Sequence, residues 1–151
     1  MKQSTNTILM IRPASFRMNE ETAVNNYFQQ NDGNTLSTNE LARKEFDAFV
    51  TKLRDKDIHV IVVDDDVNLD TPDALFPNNW VSFHENGTVG LYPMFAENRR
   101  RERREEVIEQ IEAQGFRVKN FMDYTDAESD SIFLEGTGSL VLDRINKKAY
   151  C

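Results

Sequence analysis

One cysteine, two histidines and no long apolar run set the first limits on this 151-residue chain. A lone cysteine, Cys151, excludes a disulfide within the chain and agrees with a reducing compartment. Neither a set of cysteines nor a Cys/His cluster is present, so nothing in the sequence points to zinc, and no metal or cofactor is expected. No stretch approaches the roughly 18–20 apolar residues that cross a bilayer, and Met1-Lys-Gln-Ser-Thr-Asn-Thr7 lacks the apolar core of a signal peptide. A cytoplasmic protein without membrane association is expected. Basic residues are also in deficit, with 18 Lys and Arg against 26 Asp and Glu. The resulting net charge of -8 argues against a nucleic-acid surface, which needs an excess of cations to meet phosphates. Small molecules and proteins remain as partners.

A hydrophobic content of 39% with 29% charged residues is that of a folded domain with a core. Thr7-Ile-Leu-Met-Ile-Arg12, stopped by Pro13, reads as a strand buried on both faces. The polar stretch from Ala14 to Thr38 reads mostly as loop, with a short helix around Glu21 to Gln29. Ser37 or Thr38 is expected to cap a helix whose inner face carries Leu41, Ala42, Phe46, Phe49, Val50 and Leu53. A strand, Ile58-His-Val-Ile-Val-Val63, follows and ends at Asp64-Asp65-Asp66. Asn86-Gly87 between Trp80-Val-Ser-Phe-His84 and Thr88-Val-Gly-Leu-Tyr92 is a strong hairpin signal. The run from Glu97 to Gln114 reads as one long charged helix with Val107, Ile108 and Ile111 inward and Gly115 at its C-terminal cap. Phe116 to Phe121 is expected as a strand, and a last hairpin joins Ser139-Leu-Val-Leu-Asp143 to Ala149-Tyr150. The order predicts an α/β fold built of repeated strand-strand-helix-strand units of roughly sixty residues, two units and the start of a third. An array ending on an open hairpin implies that more chain follows.

Two segments carry the polar groups that chemistry needs. In Phe76-Pro-Asn-Asn-Trp80, Asn78 and Asn79 read equally as turn residues or as a pair of side-chain amides that hydrogen-bond a planar, nitrogen-rich group. In Phe133-Leu-Glu-Gly-Thr-Gly-Ser-Leu-Val141, Glu135 reads either as a surface glutamate or as a carboxylate at a sheet end that orients a base or a cationic substrate. Gly136 and Gly138 permit close backbone approach, but the segment has no lysine and is too short for a phosphate loop. Arg99, Arg100, Arg101, Arg103 and Arg104 read chiefly as a solvated face with i,i+4 pairs such as Arg101 with Glu105, though one or two could grip a carboxylate bidentately. His59, His84 and Cys151 read as structural, and the Asp64-Asp65-Asp66 run as a solvated strand end rather than a metal site.

Taken together, Met10-Ile-Arg-Pro-Ala-Ser-Phe-Arg-Met-Asn19, Phe76-Pro-Asn-Asn-Trp-Val-Ser-Phe-His84, Leu91-Tyr-Pro-Met94, Asn98-Arg-Arg-Arg-Glu-Arg103 and Leu134-Glu-Gly-Thr-Gly-Ser-Leu-Val141 resemble the amidinotransferase-like branch of the guanidine-modifying (pentein) superfamily. The citrulline-utilisation hydrolase type is the most similar. The resemblance implies a five-bladed α/β propeller with a central active site and roughly twice this length, so that residues 1–151 form the N-terminal half of one domain, about two and a half blades. It also implies a late cysteine nucleophile, a histidine that moves protons and a carboxylate that orients the histidine.

Carried onto this chain, Glu135 takes the catalytic carboxylate's place, and Asn79 falls where relatives hold substrate with an aspartate. An amide there suits a neutral ureido group, as in citrulline, better than a guanidinium. Asn78, one of Arg99, Arg100 and Arg101 for the substrate carboxylate, and Asn19 in a lid-like loop from Ala14 to Asn26 complete the expected substrate contacts. Thr137 and Ser139 depart from the Gly-Asp of many relatives, so the resemblance does not extend to a second substrate carboxylate there. The resemblance leads to the N-terminal part of a cysteine-dependent hydrolase or amidinotransferase, inactive by itself, that associates with a second copy or with a missing half. The competing reading is a non-catalytic binding module that has kept the substrate-holding residues and lost the nucleophile.

Overall fold

The computed structural model describes residues 2–24 and 35–151. It forms two compact units, Asn6–Phe76 with Ala96–Glu102, and Met1–Thr5 with Pro77–Phe95 and Arg103–Cys151. Both are mixed α/β, with small separate sheets.

In the first unit, strands β1 (Thr7–Arg12) and β2 (His59–Asp64) pair in parallel across helix α2 (Thr35–Arg54). The period-2 pattern explains how they bury. Ile8 and Met10 stand in register with Val60 and Val62, and all four pack with Phe46, Val50, Leu53 and Ile58. Ile11, Ile61 and Val63 lie buried at the alternate positions. The expected burial of β1 on both faces is corrected: Ile11 is its one fully buried residue, because a two-stranded sheet leaves most of the strand half-covered. Helix α2 already includes Thr35, so Ser37 and Thr38 lie inside it rather than capping it. Leu41 and Phe49 are more than half exposed, leaving Phe46 and Val50 as the buried stripe. Arg12 fixes the helix to β1 through a two-pronged bond to Asp47, each prong 2.7 Å. The short helix expected from Glu21 is α1 (Glu20–Ala23), capped by Asn19; residues 25–29 of that expectation lie outside the described residues.

The second unit begins with a 3₁₀ turn, Pro77–Asn79, and the antiparallel hairpin of β3 (Val81–Phe83) and β4 (Thr88–Leu91). Asn86-Gly87 turns the chain as the sequence predicts, with Gly87 at φ +86°. The long charged helix is two pieces, α3 (Glu97–Arg100), which belongs to the first unit, and α4 (Glu105–Ala113). The break exists because Glu102 turns back to Arg99 while Arg103 is drawn to Glu128, so the side chains of 101–104 are not arrayed on one solvated face. Val107 and Ile111 are buried beneath α4. Strand β5 (Asn120–Asp123) starts four residues later than expected, because its partner β4 begins at Thr88 and the two pair in parallel from Thr88 and Asn120. Before it, Phe116 packs edge-on against Phe83, ring centres 5.3 Å apart.

Helix α5 (Gly136–Ser139) and the hairpin β6 (Val141–Asp143) and β7 (Lys148–Tyr150) close the chain. The element order is the expected one except for α5, a helical turn in place of the expected loop that also takes up Ser139, so that β6 starts at Val141 rather than at Ser139. By pairing, β3, β4, the helical segment and β5 make one complete strand-strand-helix-strand unit, β1-α2-β2 repeats its parallel crossover without a leading strand, and β6-β7 repeats its opening hairpin. Cys151, expected in a core or strand, is exposed.

A methyl group at Gly87 would stand 2.6 Å from the Arg117 carbonyl, in a left-handed backbone conformation. Gly87→Ala is expected to lower stability by about 1–3 kcal/mol, read as a lower urea midpoint; an unchanged midpoint would refute this account of the turn.

Candidate functional site

In the second unit, two segments far apart in sequence are held against each other. The 3₁₀ turn at Pro77–Asn79 meets helix α5, and the contact is made by backbone. Gly136 has φ +41°, and a Cβ on it would collide with the carbonyl oxygens of Asn78 and Asn79. At Gly138 the neighbour is instead the Asn79 side-chain amide, which a Cβ would displace. The Thr137 hydroxyl donates to the Asn78 carbonyl at 3.3 Å. Trp80, directly after the turn, is 1% exposed and locks the segment into the core.

Glu135 enters this contact at the residue before α5. Its Oε1 accepts from the Phe95 N–H at 3.0 Å, and its Oε2 accepts from the Asn79 side-chain amide at 3.4 Å. The two residues singled out from sequence, 56 positions apart, are thus neighbours. Glu135 is half-buried, Asn79 half-buried and Asn78 exposed. A carboxylate held by one backbone and one side-chain amide can orient an imidazole or bind a nitrogen-rich group.

The first unit carries a second polar cluster. Asn19 is fully buried, its Nδ2 donating to Asp73 at 2.7 Å and to Asn98 at 3.2 Å, while its Oδ1 accepts from Asn98 at 2.7 Å. The Asn19 Oδ1 also accepts from the Glu21 N–H at the start of α1. Upstream, the Asn39 side chain on α2 holds the Ala14 carbonyl and the Phe16 N–H, each at 2.9 Å, so the described part of the lid-like stretch is tied at both ends. Arg99 is buried. Its guanidinium grips Glu102 at 2.9 and 3.1 Å and reaches the Phe76 carbonyl at 3.2 Å. Arg100 is half-buried, and Arg101 is exposed and donates to the Leu69 carbonyl at 3.1 Å rather than serving the expected pair with Glu105. Asp73, Asn98 and Glu102 were not singled out from sequence. Only the i,i+3 spacing of Arg99 and Glu102 could have signalled that pair, and Thr71-Pro-Asp73 reads as an ordinary turn.

His84 lies outside this arrangement. Its Nδ1 faces Arg144 at 3.2 Å and its Nε2 faces the Ser82 hydroxyl at 3.0 Å, which in turn meets the Tyr92 hydroxyl at 2.8 Å. Burial and, after it, the Arg144 charge hold the imidazole below its usual value. With Nδ1 accepting from Arg144, Nε2 carries the proton and donates to Ser82, the wrong direction for activating a nucleophile. Among the described residues no group of His, Cys, Asp and Glu could hold a metal ion, and no helix is long and apolar enough to cross a membrane.

A family model described as N,N dimethylarginine dimethylhydrolase, eukaryotic, matches residues 12–151. The chain belongs to that family. The match includes Asn19, Asn79, Arg99 and Glu135, and so takes in both polar clusters of this dimethylhydrolase-family chain. Among curated proteins there is no significant match. Solved structures share the fold: unliganded AgrE, 20% identical with a TM-score of 0.61, and an N-terminal domain of ArgZ bound to substrate, described as an arginine dihydrolase from the ornithine-ammonia cycle in Cyanobacteria, 18% identical with a TM-score of 0.62. A binary complex of an AgrE mutant with L-arginine is 18% identical, with a TM-score of 0.61. Each alignment covers 95% of this chain, which spans only 19% of the AgrE chain and 47% of the ArgZ domain.

Burial pushes the Glu102 carboxyl from 4.5 up to about 7, against the pull of Arg99 and with help from Asp73 and Asp65. A carboxyl that holds its proton more tightly in the fold stabilises it fully below 4.5, and that contribution is lost as pH rises through about 7. Urea stability is therefore expected to fall across that window, and Glu102→Gln to flatten the slope; an equal slope in the variant would count against Glu102 as its source.

Proposed function

We propose that this chain forms the N-terminal part of a cysteine-dependent hydrolase or amidinotransferase of a five-bladed propeller type, acting on the guanidino or ureido carbon of an arginine-like amino acid. The observation that carries the reading is the pairing of Glu135 with Asn79 through a contact that admits no side chain at Gly136. Family membership supports the chemistry, and the arginine dihydrolase and the arginine complex among the solved relatives are in keeping with a guanidino substrate.

In this reading Glu135 orients a histidine that moves the protons, and a cysteine attacks the central carbon as ammonia or an amine leaves; neither the histidine nor the cysteine is assigned to a residue of this chain. Asn78 and Asn79 present amides to the substrate nitrogens or ureido oxygen. The cationic run supplies the ligand for the substrate carboxylate, with Arg99 held in place by Glu102 and with Arg100 and Arg101 beside it. Asn19 holds the backbone around α1 through Asp73 and Asn98 and so shapes the substrate side of its unit. An amide at Asn79 favours a neutral ureido group, since a buried carboxylate is the better partner for a cation.

The test is calorimetric titration of L-citrulline, L-arginine and N,N-dimethylarginine into a polypeptide carrying this chain, with release of ammonia or amine followed alongside. Citrulline is expected to bind more tightly than arginine, and Asn79→Asp to reverse the order. Glu135→Gln is expected to lower kcat on the order of a hundredfold or more with little change in KM. Tighter arginine binding by the parent would sink the ureido preference, and binding without turnover would favour a non-catalytic module. Failure to bind any of the three would overturn the reading altogether.

A further inference from the structure

Glu135 is bound to a short stretch of backbone that is itself held from several sides. The Tyr92 carbonyl accepts from Arg103 at 3.3 Å, and the Pro93 carbonyl accepts from the Leu134 N–H, also at 3.3 Å. The Met94 N–H donates to Glu128 at 2.8 Å, and the next N–H, that of Phe95, donates to Glu135 at 3.0 Å. Consecutive peptide N–H groups are thus bound by two different carboxylates. Arg103 also locks the first of these carboxylates, with Nη1 at 2.6 Å from Oε1 and Nη2 at 3.0 Å from Oε2 of Glu128. The pair is largely shielded, its side chains 18% and 13% exposed, so the fork is strong and holds one geometry. Phe95 and Phe133 pack edge to face at 5.4 Å beside this stretch.

We propose that Arg103 and Glu128 are positioning residues that set where the Glu135 carboxylate sits, by fixing residues 92–95 as the rail to which it is bound. The Pro93 carbonyl and the Met94 N–H belong to one planar peptide group, so the bonds to Leu134 and Glu128 clamp that plane from both sides, and only the φ and ψ of the fully buried Met94 separate it from the Phe95 N–H. With that plane held by Glu128 and the Met94 side chain packed in the core, the Phe95 N–H is presented to Glu135. Arg103 serves twice, aligning Glu128 from the side-chain end and the rail from the Tyr92 carbonyl. The importance of the rail for turnover rests on the reading of Glu135 as the working carboxylate; the geometry itself does not.

Amide hydrogen exchange separates the two. In Arg103→Gln and in Glu128→Gln, exchange at the Met94 and Phe95 amides is expected to accelerate about tenfold or more, the factor lost with one charge-assisted hydrogen bond. The Lys119 amide, bonded to the Gly87 carbonyl at 2.8 Å elsewhere in the same unit, is expected to keep its protection. Arg103→Lys, which keeps the charge without the fork, is expected to fall between parent and Arg103→Gln. In a polypeptide with turnover, the same variants are expected to lower kcat more than they raise KM. Acceleration at Met94 alone, with Phe95 unchanged, would overturn the proposal. So would equal loss at Lys119, which would make the pair a general support of the fold. Exchange as expected with kcat unaffected would leave the rail in place and remove Glu135 from the chemistry.

Discussion

A glycine pressed onto two carbonyl oxygens is the constraint on which the arrangement around Glu135 depends. The backbone at Gly136 turns into the left-handed region and lies so close to Asn78 and Asn79 that a single methyl group could not be placed there. Two consequences follow from this one contact. The 3₁₀ turn at Pro77–Asn79 and the start of α5 are held in close contact, and the preceding residue, Glu135, is brought to where its carboxylate accepts from the Asn79 amide and the Phe95 N–H. Close backbone approach does here what a side-chain bond could do only with more freedom, because it leaves no rotamer to choose.

Charge is the second theme. A run of arginines and glutamates that would be a solvated helix face in isolation is instead broken and put to use in shielded places. Arg99 and Glu102 form a buried pair in one unit, and Arg103 and Glu128 form a shielded fork in the other. Buried ion pairs are poor sources of net stability, since desolvation offsets most of the attraction, but they are strict about geometry. That strictness is what a site needs when it must hold a carboxylate in one place, and Arg103 and Glu128 act on the same backbone that holds Glu135.

Much of the fold was legible because its signals are local. Asn86-Gly87 specified a hairpin, alternating apolar residues specified β1 and β2, and Gly115 marked the end of α4. What was misplaced depends on partners distant in sequence. The break between α3 and α4 is made by Glu128, twenty-five residues beyond Arg103, and the late start of β5 is made by its pairing with β4. Leu41 and Phe49 continue the helical apolar pattern yet stay exposed, because a two-stranded sheet covers only a narrow stripe of α2.

The sequence by itself determined the α/β character and most of the order of the elements, since these are written in residue types whose backbone and side-chain preferences act over a few positions. Tertiary structure alone decided which polar groups are spent inside the fold. Asn19, Asp73 and Asn98 close a buried network, and Glu102 fixes the Arg99 guanidinium in one place, while Glu135 lies at a contact where Asn79 remains half-exposed. Hydrogen-bond capacity is a property of a residue, but whether that capacity is already satisfied depends on neighbours that only the folded chain brings within about 3 Å.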